Sequence, residues 1–355
     1  MTDMIEPRLE LGALKPYLPL EEDAQVVLSA NESSYNLPQT LVDEVKEKLG
    51  SFTFNRYPDA LASGLRKQIA TVYGVSADNV VLGNGSDELI QCLLLAYGAC
   101  GRSVFTFEPT FSMYNIISQT VGTKVYRFER TDLFDVDVAK AIEAAKDFEP
   151  ALIFLCSPNN PTGNPISNED IESFLKQTGA LIVIDEAYAE FSGQTVTSLI
   201  NTYPNLVVLR TFSKAFSLAG LRIGYMLASS EVIKNVLKVK LPYNCDAFSQ
   251  MVASLVLKRK DILKPQIEEI ISERDRTFVE LKEINGINPC PSAANFILIK
   301  TEKEASFVWK KLLEAGVLVR GFSEPRLRDY LRITIGTGEE NDIVLKTLKG
   351  IVDGK

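Results

Sequence analysis

From residue 79 to residue 228, short runs of apolar residues alternate with stretches of helical periodicity. The runs at 79–82, 103–107, 124–128, 151–155, 181–184, 206–209 and 223–228 are too short for helices and predict strands. Segments 86–97, 110–120 and 168–178 place apolar residues at helical spacing. Strands apolar on both faces, alternating with helices, predict an α/β fold whose mostly parallel sheet is covered on both sides. Beyond Pro242 the pattern changes. It predicts a long helical stretch over 247–283, a strand at 294–299, a helix at 303–315, short strands near Val317 and Leu331, and a last helix from Glu340. These elements predict a smaller α+β domain. The expected division is an N-terminal segment 1–49 packing with the small domain, a large domain 50–245 and a small domain 246–355.

Composition narrows the chemistry. With 355 residues, 46% apolar and 24% charged, the chain has material for a large core and two domains. A net charge of −8 argues against nonspecific nucleic-acid binding. The start, MTDMIEPRLE, lacks an apolar core segment, so no signal peptide is expected. No apolar run reaches the ~18 residues of a membrane span. Cys92, Cys100, Cys156, Cys245 and Cys290 are scattered and odd in number, which fits a reducing cytoplasm better than a disulfide framework. Histidine is absent altogether, which removes a Ser-His-Asp triad, a Cys-His pair and a His-ligated metal. No metal site is expected, and proton transfer falls to Lys, Tyr, Asp, Glu or Cys.

A lysine-based chemistry survives that filter. TFSKAFSLAGLR, residues 211–222, sets Lys214 among small and hydroxylic residues with Arg222 eight positions later. A desolvated lysine loses basicity and becomes a nucleophile toward a carbonyl carbon. Ser213, the neighbouring hydroxyls and Arg222 suit a phosphate. Nucleophile plus phosphate grip suggests pyridoxal 5′-phosphate held as a Schiff base. GNGSDELI, from Gly83, reads as strand, Gly-rich turn and helix, which is a phosphate cradle. Ser86 or Asp87 could equally be a plain helix cap. A dinucleotide fingerprint fails there, because Glu88 stands where the third glycine belongs. SPNNPTG, from Ser157, places Asn160 before a proline at a strand's carboxyl end, where a plain turn is the alternative. LIVIDEAY buries Asp185 unless it finds a partner, and a pyridinium nitrogen would suit it. Tyr188 follows three residues later, and PTFSMY offers Phe111 for ring stacking.

With these motifs in this order, the chain resembles the fold-type I pyridoxal-phosphate-dependent aminotransferases. It is closest to the class-II group that contains the histidinol-phosphate aminotransferases. LSANES, NRYPD and LRITIGTGEEN extend the likeness over nearly the whole chain. The resemblance implies that Lys214 carries the cofactor, Asp185 pairs with its pyridine nitrogen, and Asn160 and Tyr188 bond its phenolic oxygen. It implies Phe111 stacked on the ring, and Ser86, Asp87, Ser213 and Arg222 on the phosphate. Tyr57 would reach the cofactor phosphate of a neighbouring subunit, which implies a homodimer. Tyr17, Asn31, Arg320 and Arg332 would form the substrate pocket, with the arginine pair gripping a phosphate.

The implied reaction is amino transfer between L-histidinol phosphate and 2-oxoglutarate, a step of histidine biosynthesis in the cytoplasm. Lys214 would then move the proton between Cα and C4′. An aromatic or other amino-acid aminotransferase would use Arg332 on a carboxylate and need Arg320 little. A threonine-phosphate decarboxylase-like enzyme would release carbon dioxide. A non-catalytic pyridoxal-phosphate-binding regulatory module would need an attached DNA-binding domain, for which the short acidic N-terminal segment leaves no room.

Overall fold

The computed structural model describes residues 22–354, together with Ile5, Glu6, Arg8, Leu11, Gly12, Leu14 and Pro16. A seven-stranded sheet forms its larger part, in the order β2-β8-β7-β6-β5-β3-β4. The strands are β2 Val80–Asn84, β3 Ser103–Glu108, β4 Lys124–Glu129, β5 Leu152–Cys156, β6 Leu181–Asp185, β7 Leu206–Thr211 and β8 Ile223–Ala228. β8 alone runs antiparallel to both its neighbours. Each run expected from the sequence is a strand, displaced by at most two residues at an end.

Alternate residues of the central strands enter different cores. Ile182 and Ile184 of β6 pack into one cluster, and Val183 packs into the other. β7 repeats the pattern, with Leu206 and Val208 on one face and Val207 and Leu209 on the opposite face. Burial on both faces is why these runs are apolar throughout. Helices α3 Gly85–Tyr97 and α4 Met113–Thr120 cover the face holding Val183. Helices α5 Val138–Phe148 and α6 Asn168–Gln177 cover the other. Ser167 caps α6 by accepting from the Asp170 amide.

The smaller sheet has the order β1-β11-β12-β10-β9. Its strands are β1 Val26–Leu28, β9 Ile287–Pro289, β10 Phe296–Thr301, β11 Val317–Gly321 and β12 Tyr330–Thr334. Helices α11 Ala305–Glu314 and α12 Gly338–Asp353 bury apolar faces against it. Three expectations change. The stretch 247–283 is two helices, α9 Ala247–Lys258 and α10 Lys264–Lys282, separated by a 3₁₀ turn, with Pro265 in the first turn of α10. Proline fits there because the first turn leaves its amides unbonded. Helix α9 contributes Val252, Ala253 and Val256 to the large-sheet core, not to the small domain. Helix α1 Gln39–Leu49 likewise buries Leu41 in that core, while β1 joins the small sheet. Packing therefore divides the chain differently from borders at 49/50 and 245/246. No helix among the described residues is long and apolar enough to cross a membrane.

Candidate active site

Strands β5, β6 and β7 end in Cys156, Asp185 and Thr211, and all three line a cavity of about 640 Å3. It lies at the carboxyl ends of the parallel strands, where open α/β sheets bind ligands. Ser86, Asp87, Phe111, Asn160, Asp185, Tyr188, Ser213, Lys214 and Arg222 line it from the large-sheet side. Asn31, Arg320 and Arg332 line it from the small-sheet side. Two expected residues are not in this group. Tyr57 is 82% exposed and stacks on Tyr243 with ring centroids 4.5 Å apart. Tyr17 lies outside the described residues.

Lys214 follows β7 and donates to the Ala30 carbonyl at 2.8 Å. Burial, reinforced by the Arg332 charge, lowers its amine from 10.5 to about 8. Asp185 continues the face of β6 that carries Val183 and is 3% exposed. Its Oδ2 accepts from the Tyr114 hydroxyl at 2.7 Å, and its Oδ1 accepts from the Ala187 amide at 3.1 Å. Burial nevertheless raises the carboxyl to about 6. Tyr188 accepts from Asn31 Nδ2 at 3.0 Å and meets Phe296 edge-on, and burial raises its phenol. Asn31 lines the cavity, yet its amide is engaged with Tyr188 and Thr334. Here it orients a neighbouring side chain.

Helix α3 begins where β2 meets β8, with Gly85 at a positive φ of +75°. The Gly85 amide donates to the Arg222 carbonyl at 2.8 Å, and Arg222 Nη2 lies 3.4 Å from Asp87 Oδ2. A Cβ at Gly85 would stand 2.7 Å from Arg222 Nη2, and one at Gly224 would stand 2.5 Å from the Ser86 amide nitrogen. Glycine at both positions keeps the amide-bearing helix start open beside Ser213 and Arg222. On the small-sheet side Arg320 and Arg332 are register partners of β11 and β12. Arg332 donates to Asn160 Oδ1 and, at 2.6 Å, to the Ser29 carbonyl. Its guanidinium lies 5.4 Å from the centre of the Phe296 ring.

This geometry has close relatives. Residues 23–348 match the profile of the aminotransferase class I and II family. The chain belongs to that family. It is 43% identical to histidinol-phosphate aminotransferase 1 of Carboxydothermus hydrogenoformans over 96% of both chains. It is 42% identical to the histidinol-phosphate aminotransferase of Thermococcus kodakarensis over 96% of this chain and 97% of that protein. The fold also matches the crystal structure of histidinol-phosphate aminotransferase from Sinorhizobium meliloti in complex with pyridoxal-5′-phosphate. That match has a TM-score of 0.90 and 24% identity over 99% of each chain.

The cavity also contains residues that the sequence patterns leave out. Thr211 accepts from the Ser213 amide at 3.0 Å, and Trp309, Arg328 and Tyr330 line the small-domain side. Tyr114 does not line the cavity, but it meets three residues that do: Asp185, Phe111 and Cys156. Thr211 and Tyr114 lie inside motifs that mark the site, so the motifs point near them without distinguishing them. Trp309, Arg328 and Tyr330 belong to elements brought in by the small-domain fold, and no local pattern marks them.

Proposed function

We propose that this chain is a pyridoxal 5′-phosphate-dependent aminotransferase acting on L-histidinol phosphate and 2-oxoglutarate. The observation that carries the reading is the convergence of Lys214, Asp185 and the Arg320–Arg332 pair on one cavity. The cofactor fits the residues present. The cradle at Gly85 and Gly224 leaves room that a Cβ would fill, and the Ser86, Asp87, Ser213 and Arg222 donors suit its phosphate. Asp185, buried and anionic above about pH 6, suits a protonated ring nitrogen. When bound, the cofactor supplies an electron sink for charge developing at the substrate's Cα.

The chain's own residues supply the rest. Lys214 Nζ, its basicity lowered to about 8, would take the proton from the substrate's Cα and deliver it to C4′ of the bound cofactor. Asn160 accepts from Arg332 through Oδ1, which leaves Nδ2 to donate to the ring's phenolic oxygen alongside Tyr188. Phe111 packs on the ring. Arg320 and Arg332 bind the substrate phosphate, since two guanidiniums from paired positions of β11 and β12 match a dianion. Exposed Phe54, Tyr57, Leu241 and Tyr243 fit coverage by a second copy, with Tyr57 entering the partner's site in a cytoplasmic homodimer.

The test uses the purified protein loaded with cofactor. Its absorbance is followed on adding histidinol phosphate, phenylalanine, tyrosine or threonine phosphate. Histidinol phosphate should react fastest, and Arg320→Ala should slow it selectively. Equal rates for phenylalanine, unaffected by Arg320→Ala, would reject the substrate assignment. Release of carbon dioxide from threonine phosphate would indicate decarboxylation. Retention of the cofactor's bound spectrum in Lys214→Ala would reject Lys214 as its anchor.

A further inference from the structure

Tyr114 is fully buried in the layer between α4 and the large sheet. Its ring stacks on Phe154 with centroids 4.9 Å apart and planes 13° apart. Phe111, whose ring lines the cavity, meets it edge-on at 5.5 Å. These contacts leave the hydroxyl little freedom, and it donates to Asp185 Oδ2 at 2.7 Å. Burial and the Asp185 charge keep the phenol protonated, so its proton stays available to Asp185. Each carboxylate oxygen of Asp185 thus has one fixed donor, Tyr114 on Oδ2 and the Ala187 amide on Oδ1. No lysine or arginine among the described residues forms an ion pair with Asp185, although Lys214 acts on it at a distance. The two hydrogen bonds are therefore the main local support for a negative charge in a buried place.

We propose that Tyr114 is a positioning residue for the reaction, whose hydroxyl fixes the orientation and charge of Asp185 for the cofactor's pyridine nitrogen. This rests on the cofactor reading given above. Tyr114 does not line the cavity: its ring supports Phe111, and its hydroxyl acts through Asp185. Tyr114→Phe keeps the ring stack and removes only the donor.

The experiment measures cofactor affinity of the full chain from pH 5 to 8.5, in wild type, Tyr114→Phe, Asp185→Asn and the double variant. A hydrogen bond to a charged group is lost, so the dissociation constant of Tyr114→Phe should rise about 10- to 100-fold. The acid limb of binding should move to higher pH, because Asp185 then protonates more easily. In the Asp185→Asn background the second substitution should add little. If Tyr114→Phe does not fold, 3-fluorotyrosine at position 114 keeps the shape and strengthens the donor, and the acid limb should move to lower pH. Unchanged affinity and pH limb in a cofactor-binding protein would overturn the inference and leave the cofactor reading standing. Additive losses in the double variant would also overturn it, as would a fluorotyrosine limb that stays in place. Failure of the wild type to bind cofactor at any pH would instead overturn the cofactor reading, and the inference with it.

Discussion

Asp185 illustrates how function and stability oppose each other at a single residue. Its carboxyl moves from an ordinary 3.8 to about 6 in the fold, so between those values the folded chain binds more protons than the unfolded one. Stability contributed by this group is present below pH 4 and is lost as pH rises through 6, amounting to about 3 kcal/mol. Asp185→Asn should therefore stabilise the cofactor-free protein by roughly 1–3 kcal/mol at pH 8, with the gain fading toward pH 4. Denaturant melts at the two pH values check this, and equal gains at both would contradict it. Lys214 offers a second test. With its amine lowered to about 8, it should react with an aldehyde at pH 7.5 faster than the exposed lysines in cofactor-free protein. Peptide mapping of the labelled sites reads the order. Lys214, Asp185 and Asn160 are legible in the sequence because each stands in a local pattern: small residues, an apolar run ending in an acid, an Asn-Pro step. The Tyr114 role is not legible, because its partner is 71 residues away and only the packing of α4 against the large sheet brings them together.

Among elements, the junction of β8 with the start of α3 is the most constrained by space. Gly224→Ala would push a Cβ to 2.5 Å from the Ser86 nitrogen, so the helix start must shift. Cofactor affinity should fall at least about tenfold while the far-ultraviolet spectrum stays unchanged; equal affinity would show that the helix start does not hold the phosphate. The opposite face of the sheet depends on charge. Arg210 Nε lies 2.9 Å from Glu186 Oε2, and Nη1 lies 2.8 Å from Glu190 Oε1. Burial opposes the Arg210 charge, but Glu190 and Glu186 more than offset it. Glu186→Ala leaves a buried cation half-compensated and should cost about 3–5 kcal/mol in urea unfolding, against almost nothing for exposed Lys46→Ala. The central strands are readable from sequence because burial on both faces forces unbroken apolar runs. β1, three residues long and at a sheet edge, has too little pattern to read. The break between α9 and α10 does leave a mark in the sequence: the apolar α9 gives way to the charged α10, and Pro265 stands in the first turn after the join.

At the scale of the molecule, the two sheets meet through a small-domain arginine as well as through the cavity. Arg326 pairs with Glu129 at 2.7 Å and donates to the carbonyls of Glu108, Arg130 and Thr131. Phe134 from the same large-domain loop is buried against Leu298 and Leu327 of the small domain. Arg326→Ala should speed amide exchange around residues 130–135 and 325–330 and leave the central strands protected. Uniform protection would mean that the apolar contacts suffice. The two-domain plan is visible in the change of pattern after Pro242, whereas the packing of α9 on the large sheet depends on contacts with α2 Ser63–Tyr73 that no local pattern encodes. The edge strand β1 adds a consequence in time. Val26 pairs with Val317, and the carbonyls of Ser29 and Ala30 just beyond it accept from Arg332 and Lys214. On a ribosome adding about 5–20 residues per second, the first strand waits roughly 15–60 s for its partner. The large sheet can form during that wait, but the lysine's surroundings close only when the last tenth of the chain emerges. A nascent chain stalled before β11 would carry Lys214 in an unfinished pocket, so the order of synthesis itself postpones the lysine's lowered basicity until the molecule is nearly complete.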